Sequence, residues 1–131
     1  MLLIQTASFC LDATHNITIY ANTIMYSIVI RHPTLDRGVP IAYLATNDQS
    51  AEPLKQWFCV LKGLGVNPKK IMIDCDLSEA NAIVAIWGES TSIQYCSWHV
   101  ARAWIGQICK KLVVAEDENK EQVARSLYLK I

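Results

Sequence analysis

Hydrophobic positions in the first half of the chain predict three strands joined by polar segments. Apolar residues dominate residues 1–11, 24–30 and 39–46, and the segments between them are polar or carry Pro and Gly. The first run is apolar at both odd and even positions, which is typical of an interior strand covered on both faces. Because the connections are short, we expect an antiparallel meander.

The second half of the chain alternates between helical and extended patterns. Behind a predicted N-cap at Ser50, four apolar residues recur at helical spacing: Leu54, Trp57, Phe58 and Leu61. The later predicted elements are a buried strand over residues 70–76, a helix capped by Asp76 or Ser78, a strand over 93–96, a helix from Trp98, a charged turn over 115–122 and a short helix over 123–129. In the second helix we expect Glu79 to be a surface acid. The four tryptophans are predicted to pack in the core: Trp57, Trp87, Trp98 and Trp104.

Two acids, Asp12 and Asp74, each follow a buried apolar strand. A carboxylate is costly inside such a strand unless it lies at the end or is paired. If the fourth strand joins the sheet beside the third, the two acids lie on the order of 14 Å apart. If it joins beside the first, they leave neighbouring parallel strands at the end where open α/β sheets bind ligands. The buried first strand that ends in acid favours the second arrangement, in which paired carboxylates can hold divalent ions for phosphoryl chemistry.

Composition limits the class of protein. The chain has 131 residues, of which 52% are hydrophobic and 18% charged, so a single globular domain over residues 1–131 is expected. The formal net charge is zero, which argues against tight DNA binding by this chain alone. Zero charge leaves open a site that handles a phosphate through metal ions.

The five cysteines and the apolar N-terminus bear on the compartment. An odd number of cysteines in mostly apolar patterns favours a reducing compartment, nuclear or cytoplasmic. Residues 1–4 lack a basic segment and the run is short for a membrane span, so we expect neither a signal peptide nor a membrane anchor. The reading frame is expected to begin inside or just before the first strand.

Five segments together resemble one known family. They are Leu-Asp-Ala-Thr-His-Asn at 11–16, Gly-Val-Pro-Ile-Ala-Tyr at 38–43, Ser-Ala-Glu-Pro-Leu-Lys-Gln-Trp at 50–57, Ile-Met-Ile-Asp-Cys-Asp at 71–76 with Ser-Glu at 78–79, and Gln-Tyr-Cys-Ser-Trp-His-Val at 94–100. This combination resembles the transposase domain of Mutator-like elements (MULE), which are DDE transposases of the ribonuclease H-like superfamily. The resemblance covers residues 8–104.

The resemblance implies a fold, a site and partners. The fold would be α/β and ribonuclease H-like, a five-stranded mixed sheet of order 3-2-1-4-5 flanked by helices. The two family acids fall on Asp12 and Asp74, which would be catalytic residues and ligands of Mg²⁺ or Mn²⁺. The family's C-x2-H motif falls on Cys96 and His99. DNA at transposon ends is the implied partner, and a homo-oligomer is a further expectation.

The third acid of the family is a Glu that follows a long helical insertion downstream. This chain ends at Ile131, so we expect a partial, C-terminally truncated domain that lacks the third acid and is inactive alone. Three acids in the charged turn are too weakly placed to assign: Glu116, Asp117 and Glu118. The alternatives are a catalytically inactive, transposon-derived module for DNA or protein contacts, and a nuclease of the same fold with its own third acid.

A zinc site is a less favoured interpretation of Cys96 and His99. Structural zinc takes four ligands, and only Cys109 and His32 remain as additional candidates, without a supporting pattern. We expect Cys96 to pack in the core. We expect His99 to hydrogen-bond to the acid site or to contact a phosphate.

Overall fold

The computed structural model describes residues 8–113 and 119–130 of the chain. Its elements are, in order, β1 (Ser8–His15), β2 (Ile24–Arg31), β3 (Gly38–Thr46), α1 (Glu52–Gly63), β4 (Lys70–Ile73), α2 (Leu77–Trp87), a 3-10 turn (Gly88–Ser90), β5 (Ser92–Tyr95), α3 (Ser97–Lys111) and α4 (Lys120–Tyr128). Two compact units divide the chain after Tyr95. The single domain expected from the sequence stays a prediction, and each unit is described by itself.

The first unit contains one five-stranded mixed sheet, in the order β3-β2-β1-β4-β5. β1, β2 and β3 pair antiparallel, whereas β4 runs parallel to both β1 and β5. The predicted meander and strand order are therefore confirmed, and the fourth strand lies beside the first. This strand order, with helices packed on the sheet, is the one that the segment resemblance implies.

One face of the sheet is buried against α1 and α2. Alternate positions of the strands supply its side chains, as expected where successive residues point to opposite faces. The buried strand residues are Phe9, Leu11, Ile24, Tyr26, Ile28, Ile30, Ile71 and Ile73. They form one cluster with Leu54 and Phe58 of α1 and Ile83 of α2. The opposite face of β1 carries Cys10, half-buried, and Asp12, exposed, so the described part of this strand is not apolar on both faces.

β1 continues past Asp12. The antiparallel hairpin pairs Asp12 with Ser27 and ends at the pair His15 and Ile24. Asp12 therefore lies inside a strand and not at its last residue, because β2 extends the pairing by three residues. On the other edge, the parallel pairing with β4 runs from Ser8 and Lys70 to Cys10 and Met72. Residues 1–7 of the predicted first strand lie outside the described residues.

The two helices of this unit begin close to their predicted starts. The N-cap of α1 is Ala51, so the prediction of Ser50 at that position was wrong by one residue. Ser50 instead accepts a hydrogen bond from the backbone of Glu52 through its Oγ at 3.3 Å. Asp76 is confirmed as the N-cap of α2, since its Oδ1 accepts the N–H of Ser78 at 2.6 Å.

The second unit is a pair of packed helices, α3 and α4. α4 starts at Lys120, earlier than the predicted residue 123, because Asn119 Oδ1 accepts the N–H groups of Glu121 and Gln122. In α3, Trp98 and Trp104 are 58% and 53% exposed, so the prediction that they are core residues was wrong. No described helix is long and apolar enough to cross a membrane.

Candidate functional site

The pairing register brings Asp12 and Asp74 to the same end of neighbouring parallel strands. Ser8 lies opposite Lys70, and Cys10 lies opposite Met72. Asp12 and Asp74 each lie two residues beyond the last pair, so the two acids follow adjacent strands at the same end of the sheet. Asp12 lies two residues after Cys10, and Asp74 lies two residues after Met72. Because every second residue of a strand faces the same side of the sheet, both acids belong to the face opposite α1 and α2. Asp12 is exposed and Asp74 is half-buried.

Glu79 is a third acid at this end of the sheet, and the prediction that it is a surface residue was wrong. Only 1% of Glu79 is exposed. The reason is its position on α2, one turn before Ile83 and two turns before Trp87, both of which are buried. This i, i+4, i+8 spacing was readable in the sequence and was the signal that could have located Glu79 on the inner face of the helix.

The electrostatics of Glu79 connect it to three other acids. The pKa of Glu79 is raised from 4.5 to about 8, first by burial and then by the negative charges of Asp74, Asp76 and Asp12. A hydrogen bond donated by the backbone N–H of Asp74 acts in the opposite direction. We call these four residues, Asp12, Asp74, Asp76 and Glu79, the acid cluster. The buried Oε2 of Glu79 has no hydrogen-bond partner among the described residues.

Tyr26 borders the acid cluster from the core. It lies on β2 opposite Ala13 and is 4% exposed. Burial raises the pKa of the Tyr26 hydroxyl, and the negative charges of Glu79 and Asp76 raise it as well. The phenol is therefore neutral over the physiological range.

The donor chemistry of the acid cluster suits a hard divalent cation. Its side chains offer only oxygen, the ligand type that Mg²⁺ and Mn²⁺ prefer. Mg²⁺ is commonly held by one or two carboxylates while it keeps several waters, and Asp12 and Asp74 can supply that pair. Across residues 8–113 and 119–130, no three His, Cys, Asp or Glu side chains are grouped so that they could hold one ion together. Among the described residues, an ion between Asp12 and Asp74 would therefore have no third His, Cys, Asp or Glu ligand.

The C-x2-H residues lie in the second unit. Cys96 is the N-cap of α3, half-buried, and its carbonyl accepts the N–H of Val100 at 3.0 Å. His99 is half-buried and sets its ring edge-on to Trp98, with the ring centroids 4.7 Å apart. The predicted contact of His99 with the acid site or a phosphate stays a prediction.

The additional zinc candidates have other local roles. His32 Nδ1 accepts the backbone N–H groups of Thr34 and Leu35, both at 3.2 Å, and so closes the β2–β3 loop. The Cys109 thiol lies 3.8 Å from the Lys120 carbonyl, at the junction of α3 and α4. Neither arrangement supports a zinc site.

The candidates for a third acid in the charged turn are only partly described. Glu116, Asp117 and Glu118 lie outside the described residues. Glu121, in the first turn of α4, pairs with Arg125, its Oε1 accepting from Nη2 at 2.9 Å. The described residues therefore add Glu79, and not a residue of the charged turn, to the two acids that the sequence singled out.

A groove of about 500 Å³ lies at the other end of the same strands. Its lining includes the amino-terminal residues of β1 and β4, together with Arg31, Arg37 and Met72. Arg31 is held by Asp36, with Nε and Oδ1 2.7 Å apart. The groove is thus separate from the acid cluster, which lies at the carboxyl ends of β1 and β4.

The chain was compared with family models, curated proteins and solved structures. No family model matches the sequence, and no curated protein matches it. A chain in the cryo-EM structure of the simian T-cell lymphotropic virus intasome in complex with PP2A regulatory subunit B56 gamma is similar, with a TM-score of 0.46 and 15% sequence identity. The similarity covers 94% of this chain and 48% of that chain, so this chain spans about half the length of the structure that it matches.

Proposed function

We propose that this chain carries the two-carboxylate part of a DDE transposase core of the Mutator-like (MULE) type. Such a core performs metal-dependent DNA strand cleavage and transfer during DNA transposition. The observation that carries the proposal is the placement of Asp12 and Asp74 at the same end of adjacent parallel strands, in a sheet of order β3-β2-β1-β4-β5. The segment resemblance over residues 8–104 supports the same class.

In this proposal Asp12 and Asp74 are the ligands of Mg²⁺ or Mn²⁺. A bound divalent ion supplies Lewis-acid activation of a phosphoryl group. Asp12 is exposed on the sheet face, so a phosphodiester can approach it from solvent. Asp74 is half-buried and follows directly on β4, so the strand fixes its position relative to Asp12.

DNA is the proposed partner, at transposon ends. Arg37 and Lys70 line the groove at the amino ends of the strands. The groove also contains Cys10 and Met72, the residues of β1 and β4 that share a face with Asp12 and Asp74. Cationic side chains on that face would contact phosphates on either side of the reacting one. A homo-oligomer and an intracellular location, nuclear or cytoplasmic, belong to the same proposal; none of the five cysteines forms a disulfide.

The second candidate is a catalytically inactive, transposon-derived module that binds DNA or protein. Two observations favour it. In the part of the chain that the structure describes, no three potential ligands are grouped around one position. The formal net charge of the whole chain is zero, which gives little electrostatic attraction to a duplex.

Isothermal titration of the purified protein with Mn²⁺ tests the proposed site. We expect weak binding in the wild type and none in Asp74→Ala or Asp12→Ala, because a single remaining carboxylate holds the ion poorly. Glu89→Ala is the matched control, since Glu89 is an exposed acid in the 3-10 turn after α2. Unchanged binding in Asp74→Ala would remove the metal-site proposal and leave the binding module.

A further inference from the structure

The charges of the chain are unevenly distributed, although they sum to zero. Residues 96–131 carry six Lys and Arg and four Asp and Glu, whereas residues 1–95 carry six and eight. Three of the four acids in 96–131 are consecutive, at 116–118, and lie outside the described residues. The helices α3 and α4 themselves contain one acid, Glu121, and five exposed cations: Arg102, Lys110, Lys111, Lys120 and Arg125. The surface of this helix pair is therefore predominantly cationic.

A groove of about 540 Å³ is lined by residues of both α3 and α4, and we call it the α3–α4 groove. Its described lining has an apolar part, which includes Trp98 and Ile105, and a charged part formed by Arg102, Glu121 and Arg125. A volume of this size is within the range of ligand-binding clefts. The groove thus combines apolar surface with two guanidinium groups.

Arg102 and Trp98 lie one turn apart on α3 and contact each other. The Cζ atom of Arg102 is 5.1 Å from the centroid of the Trp98 ring, which is a cation–π arrangement. Trp98 is nevertheless 58% exposed, so much of its indole surface remains accessible to a ligand. A guanidinium group and an accessible aromatic ring are therefore presented side by side in the groove.

Arg125 is the second cation of the groove, and its ion pair is an exposed one. Its Nε and Nη2 lie 3.2 Å and 2.9 Å from Oε1 of Glu121. The two side chains are 63% and 64% exposed, and ion pairs so exposed to water contribute little to stability. A phosphate can therefore replace the Glu121 carboxylate as the partner of Arg125 at little cost.

The chemistry of the surface favours a nucleic-acid strand over an acidic peptide. The guanidinium groups match the geometry of phosphate oxygens. Three further cations, Lys110, Lys111 and Lys120, lie on the same two helices outside the groove lining, where a strand with a phosphate at every nucleotide can contact them. The accessible ring of Trp98 offers a surface on which a base can stack, and a base is available for stacking in a single strand.

We propose that the α3–α4 groove binds single-stranded nucleic acid. Arg102 and Arg125 contact phosphates, and Trp98 stacks on a base. This inference goes beyond the proposed function, because the groove belongs to α3 and α4 and its binding requires no divalent ion. A duplex keeps its bases stacked on one another, so it gains the phosphate contacts without the contact to Trp98.

The first test measures the contribution of Trp98. Fluorescence anisotropy follows the binding of a labelled thymidine oligonucleotide of about 16 nucleotides to the whole chain, with EDTA present. We expect Trp98→Ala to bind about tenfold more weakly and Trp98→Phe, which keeps an aromatic ring, to retain most of the affinity. Trp104→Ala is the matched control, because Trp104 is 53% exposed on the same helix but is not part of the groove lining, and it should match the wild type.

The second test measures the phosphate contacts through their dependence on salt. The logarithm of the binding constant is plotted against the logarithm of the NaCl concentration, and loss of one phosphate contact to a single strand reduces the slope by about 0.7. We expect this reduction in Arg102→Ala and none in Lys55→Ala, which removes the same charge from α1. Glu121→Gln should bind about threefold more tightly, since it removes an acid from the groove and releases Arg125.

The outcomes are decisive for the groove and leave the carboxylate site to its own Mn²⁺ titration. Circular dichroism shows whether each variant is folded. No binding of the oligonucleotide by the wild type overturns the proposal, and so do equal effects of Trp98→Ala and Trp104→Ala or of Arg102→Ala and Lys55→Ala. Displacement of the oligonucleotide by a poly-glutamate peptide or a duplex of equal charge, as effectively as by the unlabelled strand, overturns the assignment to single-stranded nucleic acid.

Discussion

Both burial and neighbouring charge oppose ionisation of the Glu79 carboxyl group. Its pKa is raised from 4.5 to about 8, with burial as the largest cause and Asp74 the next. Since the pKa is higher in the folded chain than in the unfolded chain, the folded state binds the proton more tightly. Stability from this group is therefore fully present below pH 4.5 and is lost as the pH rises towards 8.

We predict that the free energy of unfolding of the metal-free protein falls between pH 4.5 and pH 8. At 1.36 kcal/mol per pKa unit, the contribution of Glu79 is on the order of 5 kcal/mol. Glu79→Gln cannot ionise, so its stability should depend much less on pH and exceed that of the wild type at the alkaline end. Urea denaturation across this range measures both proteins, with Glu89→Gln as the control. Parallel pH profiles for the wild type and Glu79→Gln would contradict the assignment.

The acids differ in how far the sequence alone could place them. Asp12 and Asp74 could be predicted because each follows an apolar strand, and a carboxylate there needs the end of a sheet or a partner. Glu79 could not be placed by the usual expectation that acids in a first helical turn are solvated. That expectation follows from the helix dipole alone and does not consider which face of the helix is buried. Glu79 lies on the buried face of α2, together with Ile83 and Trp87.

At the level of elements, α2 connects the core to the acid cluster. Its last residue is held by the Trp87–Val66 hydrogen bond, and Gly88 follows with a φ of 61°, a left-handed conformation that favours glycine. Beyond the 3-10 turn, the Thr91 hydroxyl donates to the Pro68 carbonyl at 2.6 Å. These bonds fix the end of α2 against the segment that leads into β4.

We predict that Ile83→Ala destabilises the protein by about 3 kcal/mol, because Ile83 is 0% exposed and its loss leaves a cavity between α2 and the sheet. The adjacent Val84 is 57% exposed, so Val84→Ala should change stability by less than about 0.5 kcal/mol. Chemical denaturation of the two variants beside the wild type makes the comparison. Similar losses from both substitutions would show that the face of α2 is wrongly assigned.

The bounds of an element could be predicted from the sequence where buried apolar residues recur at regular spacing. They were predicted less accurately where the residues are small or polar. β2 and α1 follow from buried residues at alternate and helical spacing, as at Ile28 and Phe58. The extension of β1 to His15 was missed because residues 13–15 are small or polar, and only pairing with β2 makes them extended. Trp98 and Trp104 were expected in the core on size and apolarity alone, but more than half of each is exposed.

At the scale of the whole molecule, the strand order decides whether there is a site. A helical crossover can bring a fourth strand to either edge of a three-stranded meander, and local sequence does not choose between them. The segment resemblance predicted the edge beside β1, and the sheet has that order. Only this order places Asp12 and Asp74 on adjacent strands.

We predict that this chain does not nick supercoiled plasmid DNA in the presence of Mn²⁺. The proposed site has only two carboxylates, Asp12 and Asp74, at the ends of adjacent strands, and the zero net charge gives weak attraction to the duplex. Agarose gel electrophoresis of incubated plasmid measures nicking, with the Asp12→Ala/Asp74→Ala double variant as the control. Nicking by the wild type that the double variant lacks would contradict this prediction and would indicate a third ligand within residues 116–121.

The central claim is that one divalent ion binds between the carboxyl ends of β1 and β4. Paramagnetic broadening of amide NMR signals by substoichiometric Mn²⁺ locates the ion directly. The account predicts broadening centred on Ala13 and Cys75, weakening towards Lys70, which is about 13 Å back along β4 from Asp74. It also predicts that the Asp12→Ala/Asp74→Ala double variant shows no such pattern. Broadening centred on another part of the chain, or retained in the double variant, would contradict the claim.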